Sequence, residues 1–206
     1  MKKLAGLFVL LLILTGCHQA SGPLHQAMTF REDLLEAKGC SFDAAVTADY
    51  GDSLHSFSMA CQGDGQGNLT FTVTGPESIS GITGRIRQSG GELIFDDTAL
   101  QFTLLTDRQL SPGSAPWIFL KTLRSGYLTS AAQEEEGIRI SADDSYEDDA
   151  LHLDIRLSKE NLPVSAEILW NNRRILTLEI ENFQFLRDRI KAPSDWDNRV
   201  YALHRV

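Results

Sequence analysis

The chain has 206 residues, with 19 Lys plus Arg against 28 Asp plus Glu and a formal net charge of −9. At 42% hydrophobic and 23% charged residues, its composition excludes collagen-like and intrinsically disordered chains. The acidic balance argues against a nucleic-acid partner, which would demand a basic face that releases counterions. Three Cys is an odd number, so at least one needs a separate fate.

Met1, Lys2 and Lys3 form a basic start, and Leu4 to Ile13 reads LAGLFVLLLI. Ten residues rise only about 15 Å as a helix, half of a bilayer's hydrocarbon core, so this is a signal-peptide core and not a spanning anchor. Leu14-Thr15-Gly16-Cys17 follows directly. It resembles the bacterial lipobox, which implies a diacylglyceryl group on the Cys17 thiol, cleavage before it, palmitate-type acylation and a place on the outer side of a bacterial cell membrane. Cleavage there removes 16 residues, Lys2 and Lys3 among them, and leaves 190 with a charge of −11. Each buried acyl CH₂ contributes about 0.8 kcal/mol, so several chains hold a domain firmly at a bilayer. The expected organisation is a signal peptide over 1–16, a polar tether over 17–27 broken by Gly22 and Pro23, a β domain over 28–186 and a tail over 187–206.

Phe30, Leu34 and Leu35 recur at helical spacing between Met28 and Lys38, and Gly39 is a stop. The period then changes to two. Phe42, Ala44, Val46 and Ala48 alternate with polar or small residues. After a turn at Tyr50–Ser53, His55, Phe57 and Met59 alternate in the same way, which predicts a hairpin with one apolar face. Cys40 opposite Cys61 would place Phe42 against Met59 and Ala44 against Phe57, close enough for a disulfide that an exported protein can form. The alternative is two reduced, buried thiols.

Further strands are predicted around Leu69–Val73, Ile82–Ile86, Leu93–Phe95 and Leu100–Leu104. Ser111-Pro112-Gly113-Ser114-Ala115-Pro116 breaks the sheet and opens a helix over Trp117–Ser130, apolar on every side of its first turn and therefore buried. Strands resume at Ile138–Ser141, Leu151–Leu157, Val164–Trp170 and Arg174–Phe185, the last two joined by a two-residue turn at Asn171-Asn172. The sum is a mainly β fold of about ten antiparallel strands with two short helices. A curved sheet over a partial helical plug leaves an apolar concavity for an apolar ligand. A fully packed β-sandwich satisfies the same alternation.

The order of elements, with the stretches FREDLLEAKG, LTFTVTGPESISGITGRI and LPVSAEILWNNRRILTLEIENFQF, resembles the LolA/LolB-type half-barrel of lipoprotein carriers and lipid-binding envelope lipoproteins. The resemblance implies a half-barrel with its helices on the concave face and an apolar cavity for acyl chains. In the carriers an Arg in the cavity acts as a gate; among Arg85, Arg87 and Arg124 the sequence singles out none. Shuttling carriers lack an anchor, so the resemblance with Cys17 favours an anchored binding protein. The candidate cavity residues are Phe57, Met59, Phe71, Trp117, Phe119 and Leu120.

No nucleophile elbow, phosphate loop, zinc helix or CxxC occurs, so no catalytic residue, metal or cofactor is expected and the reading is non-enzymatic. His152, Asp154 and Arg156 alternate with Leu151, Leu153 and Ile155 and read as a solvated outer face. The carboxylates of Glu134–Glu136 and Asp143–Asp149 lack the calcium-loop register and read as a solvated acidic hairpin. The other reading of the whole chain is a structural or regulatory envelope lipoprotein that binds another protein through its outer surface.

Overall fold

The structure is a computed structural model that describes residues 22–95, 98–102, 105–106 and 109–186. The signal peptide, Cys17, the tether as far as residue 21, Leu104 and the tail over 187–206 lie outside the described residues.

The first element, α1 (Pro23–Glu36), opens on a Pro at its first turn and buries Ala27, Phe30 and Leu34. Proline's fixed φ suits that position. The helix thus begins five residues before the apolar spacing of the sequence shows it, and Pro23–Ala27, expected as tether, are helical. Leu35, expected on the inner face, points outward and is 50% exposed, as are Leu24 and Met28 to similar degrees.

Eleven antiparallel strands then build one open sheet, a half-barrel with the two helices on its concave face. In chain order they are β1 (Gly39–Asp49), β2 (Leu54–Asp64), β3 (Leu69–Gly75), β4 (Thr83–Arg87), β5 (Gly90–Phe95) and β6 (Thr98–Phe102). After a small separate ladder, β7 (Leu105–Thr106) with β8 (Gln109–Leu110), comes α2 (Ala115–Ser125). The rest are β9 (Tyr127–Glu134), β10 (Gly137–Asp143), β11 (His152–Ser158), β12 (Pro163–Trp170) and β13 (Arg173–Leu186). The sheet order is β6-β5-β4-β3-β2-β1-β13-β12-β11-β10-β9, so the last strand joins the first in the middle.

Alternation decides the faces. In β1, Phe42, Ala44, Val46 and Ala48 are buried while Asp43, Ala45 and Asp49 are exposed. The Asn171-Asn172 turn takes φ of 50° and 60°, the mirror-image turn expected there, because its twist matches that of the flanking strands. Between facing strands, Gly84 lies opposite Phe71, and the ring fills the volume that any Cβ at 84 would take.

Two expectations are corrected. The helix expected to reach Ser130 ends at Ser125, where the Gly126 N–H closes on the Thr122 carbonyl at 2.8 Å; residues 127–134 form the edge strand β9. The Cys40–Cys61 disulfide does not form. The hairpin places Phe42 against Cys61, Ala44 against Met59 and Cys40 against Gly63, two residues from the expected register. Turn length is the cause. Tyr50–Ser53 form a four-residue loop, with Tyr50 N–H bonded to the Ser53 carbonyl at 3.1 Å, so Asp49 must face Leu54. Cys40 and Cys61 become diagonal neighbours, about 7–8 Å apart at Cα by standard sheet geometry, beyond the ~6.8 Å that a disulfide usually spans. Both are buried free thiols.

Aromatic rings join the helices to the centre of the sheet. Phe42 stands edge-on to Phe119 at 5.9 Å and stacks on Phe183 at 5.8 Å. Phe30 of α1 lies 5.9 Å from Phe183 and 5.7 Å from Phe185. Such pairs add about 0.5–1.5 kcal/mol each beyond the area they bury.

Candidate functional site

The inner helix is held by guanidinium groups. Arg31 of α1 donates from Nε to the Leu123 carbonyl at 2.7 Å, and from Nη2 to those of Thr122 and Gly126 at 3.2 and 2.9 Å. The Leu123 and Gly126 carbonyls belong to the orphans that a helix leaves at its C-terminus, that of Thr122 already accepts from the Gly126 N–H, and the cation also meets the negative end of the helix dipole. Burial lowers the Arg31 pKa. Arg124 of α2 reciprocates, donating to the Leu34 carbonyl near the end of α1 at 3.1 Å and to the Gly65 carbonyl at 2.9 Å. Arg124 therefore caps and braces. Arg85 and Arg87 flank the buried Ile86 on the opposite, convex face of β4, so none of the three is placed as a gate.

At the other end of α2 the chain opens a cleft of about 370 Å³. Trp117, Ile118 and Lys121 contribute from α2, Leu110 from β8, and Trp170 and Ile175 from the ends of β12 and β13. Leu151, Asp144, Ser145, Asp149 and Gln88 complete the lining from loops. Trp117 is fixed by its indole N–H, which donates to the Gly67 carbonyl in the β2–β3 turn at 2.9 Å. That turn is tied in its own right, since Asp64 Oδ1 accepts from the N–H groups of Gln66 and Asn68. Gly63, Gly65 and Gly67 thus serve a hairpin. The Lys121 ammonium lies 5.6 Å from the centre of the Trp117 ring and 3.4 Å from Asp144 Oδ2. Asp144 Oδ1 accepts from the Leu151 N–H at 2.8 Å.

Of the six residues expected to line a cavity, Trp117 borders this cleft. Met59, Phe71, Phe119 and Leu120 are buried in the core, and Phe57 is half-buried against it. The alternation that includes Leu151 and the apolar turn that includes Ile118 report burial and not the cleft. Trp170, Leu151 and Ile175 sit at strand ends and meet only because the sheet curves; a tryptophan just before a tight turn was the one visible hint.

The thiols have no part in the cleft. Burial pushes the Cys40 thiol up to about 12, with Arg124 opposing, and raises Cys61 further, helped by its neighbour Cys40. Such thiols are poor nucleophiles. On the convex face His152 Nδ1 lies 2.7 Å from Asp143 Oδ1, Asp154 accepts from Ser141 Oγ at 2.6 Å, and Arg156 meets Glu134 at 3.3 Å. In the acidic loop Asp143 and Asp144 are half-buried and bonded, whereas Glu147, Asp148 and Asp149 are exposed. Among the described residues no cluster of His, Cys, Asp or Glu could hold a metal ion, and no helix is long and apolar enough to cross a membrane.

The chain is similar in structure to LolA-type proteins. The similar solved structures include a LolA superfamily protein from Nitrosomonas europaea, 11% identical over 79% of this chain and 94% of that one, with a TM-score of 0.42. A putative outer membrane lipoprotein-sorting protein domain from Vibrio parahaemolyticus is 8% identical over 86% and 96%, at 0.43. The Mycobacterium tuberculosis lipoprotein LppX is 10% identical over 81% and 96%, at 0.40. No protein-family model matches the chain, and no curated protein matches it.

Proposed function

We propose that this protein is a lipid-anchored, non-enzymatic binding protein of the bacterial cell envelope, and that the cleft beside the first turns of α2 receives a lipid or acyl chain. The supporting observation is the cleft itself, about 370 Å³ with two tryptophans and four aliphatic side chains in its walls. Ligand sites are concave and mostly apolar, with a few polar groups that orient the guest; here Lys121 and Asp144 fill that role. Diacylglyceryl-modified Cys17 keeps the domain at the membrane. Ahead of it the signal core over Leu4–Ile13 directs export, so the β domain faces the extracytoplasmic side.

Titration with an apolar fluorescent probe tests the cleft. Saturable binding is expected, weakened about tenfold by Trp170→Asp, which places a charge on a half-buried wall. Trp117→Asp should abolish it. Trp117 is packed, so circular dichroism must show the variant folded, and Trp170→Asp carries the test if it is not. A probe that does not saturate, or binds both variants as it binds the parent, overturns the ligand site and favours the outer surface and a protein partner. For the anchor, Cys17→Ser should move the protein from the membrane to the soluble fraction; retention at the membrane would contradict it.

A further inference from the structure

The size of the cleft and the charge around its mouth narrow the ligand, an inference that rests on the cleft being the ligand site. An apolar cavity of about 150 Å³ takes one benzene, so a cleft of about 370 Å³ has room for roughly fifteen carbon-sized atoms. That is one acyl chain. A diacyl or triacyl lipid needs two or three times as much.

The lining carries more acid than base, Asp144 and Asp149 against Lys121, while Arg173 and Arg174, which adjoin Ile175, are engaged by Asp49 at 3.9 Å and Glu167 at 3.2 Å. Lys121 is the cation among the lining residues, and Asp144 already engages it. Asp144 cannot turn away easily, because the Leu151 N–H holds its other oxygen. The same loop carries Asp143, which faces His152, and then Glu147, Asp148 and Asp149, three exposed carboxylates without an ion-pair partner among the described residues. An anionic head at this mouth would meet a neutralised lysine and an uncompensated acidic loop. At low ionic strength the screening length is about 30 Å, so the exposed Arg87 beside Gln88 adds to the same field with the opposite sign.

We propose that the cleft takes a single-chain amphiphile whose head bears no negative charge, and that the loop from Asp143 to Asp149 excludes fatty acids and anionic single-chain lipids. The chain selects by length and number, the loop by sign.

The experiment is displacement of the bound apolar probe from the full chain by four ligands with chains of about fourteen carbons: monomyristoylglycerol, tetradecyltrimethylammonium, myristate and dimyristoylglycerol, each below its aggregation limit. At about 10 mM salt the first two should displace the probe at roughly tenfold lower concentration than myristate, and at about 1 M salt, where screening acts within about 3 Å, the gap should close. Dimyristoylglycerol should be weaker than its single-chain counterpart by about tenfold or more. The variant Glu147→Gln/Asp148→Asn/Asp149→Asn, all on exposed positions, should close the low-salt gap as well. Myristate displacing as well as monomyristoylglycerol at low salt overturns the role of charge, and a gap unmoved by salt and by the variant does the same. Equal displacement by dimyristoylglycerol overturns the single chain. In all these cases the probe still binds and the cleft stands as a ligand site; a probe that never binds removes both readings together.

Discussion

At its C-terminal end α2 gives three carbonyls to one guanidinium from another helix, whereas at its N-terminal end it presents Trp117, Ile118 and Lys121 to a cleft. The first end is closed by charged hydrogen bonds and by a glycine with no room beside it. The second is held by the Trp117 bond to Gly67 and by the Lys121 pair with Asp144. One helix thus divides along its length: its hydrogen bonds to α1 gather at one end, and the proposed ligand cleft opens at the other. The arrangement suits a plug that must stay in place while one end accommodates a guest.

The largest effect should come from Arg31→Met. Charged hydrogen bonds contribute about 1.5–3 kcal/mol each, and the carbonyls left behind are partly buried, so a loss of about 3–4 kcal/mol is expected in urea unfolding. Probe affinity per folded molecule should fall much less. If binding and stability fall together, the two ends are not separable.

Gly126→Ala comes next. A Cβ there would sit 2.7 Å from the Thr122 carbonyl oxygen and 2.8 Å from that of Asp143, and backbone on both sides cannot yield cheaply. A loss of about 1–3 kcal/mol in the same assay is expected. Trp117→Phe should cost about 1 kcal/mol by removing the bond to Gly67, with a clear loss of probe affinity, the reverse of the Arg31 pattern.

The thiols allow a pH test of the closed end, where the Leu120 side chain and Cys40 both crowd Gly63. Their pKa values are raised in the fold, Cys40 to about 12. Below the unfolded value, near 9, both states are protonated and nothing changes. Above it the unfolded chain gives up protons that the folded chain keeps, so stability falls as pH rises, by about 1.4 kcal/mol per pH unit per thiol until the folded value is reached. Cys40→Ala should remove its share of that alkaline slope, and subtracting its urea midpoints from the parent's isolates the thiol from lysine and tyrosine. An unchanged slope would place Cys40 outside the buried end. The smallest effect is chemical: a thiol reagent should label Cys40 and Cys61 only as fast as the protein opens, and complete labelling on mixing would contradict their burial.

Much of the sheet was legible because alternation reports which side of a strand meets the core. Phe42, Ala44 and Val46 announce β1, and Asn171-Asn172 announces the turn between β12 and β13. Alternation is blind to shifts of two, however. The expected pairing of Cys40 with Cys61 kept every apolar side chain inside and was still wrong, while the four-residue loop at Tyr50–Ser53 already demanded Asp49 opposite Leu54. The first four residues of edge strand β9, Tyr127–Ser130, read as helix because Tyr127 and Leu128 continue the spacing of Leu120 and Leu123; Gly126 and the Arg31 cap end that helix. The cleft was least legible. Its walls are gathered from five parts of the chain, and five of the six candidate residues went instead to the core or against it. No local rule reports that Arg31 will find carbonyls more than 90 residues away.

The position of β13 has a consequence for how this chain acquires its structure. β1 pairs with β2 on one side and β13 on the other, with Gly39 opposite Leu186. Until the last strand arrives, the sheet exists only as two unconnected ribbons, β1 to β6 and β9 to β12. The helix that emerges first likewise waits for Phe183 and Phe185. Contacts this distant in sequence slow folding, because loop closure must precede any reward from pairing. An exported chain of this design would cross the membrane entirely before it could assemble, and every shortening that removes β13 would yield two sticky half-sheets in place of one smaller domain.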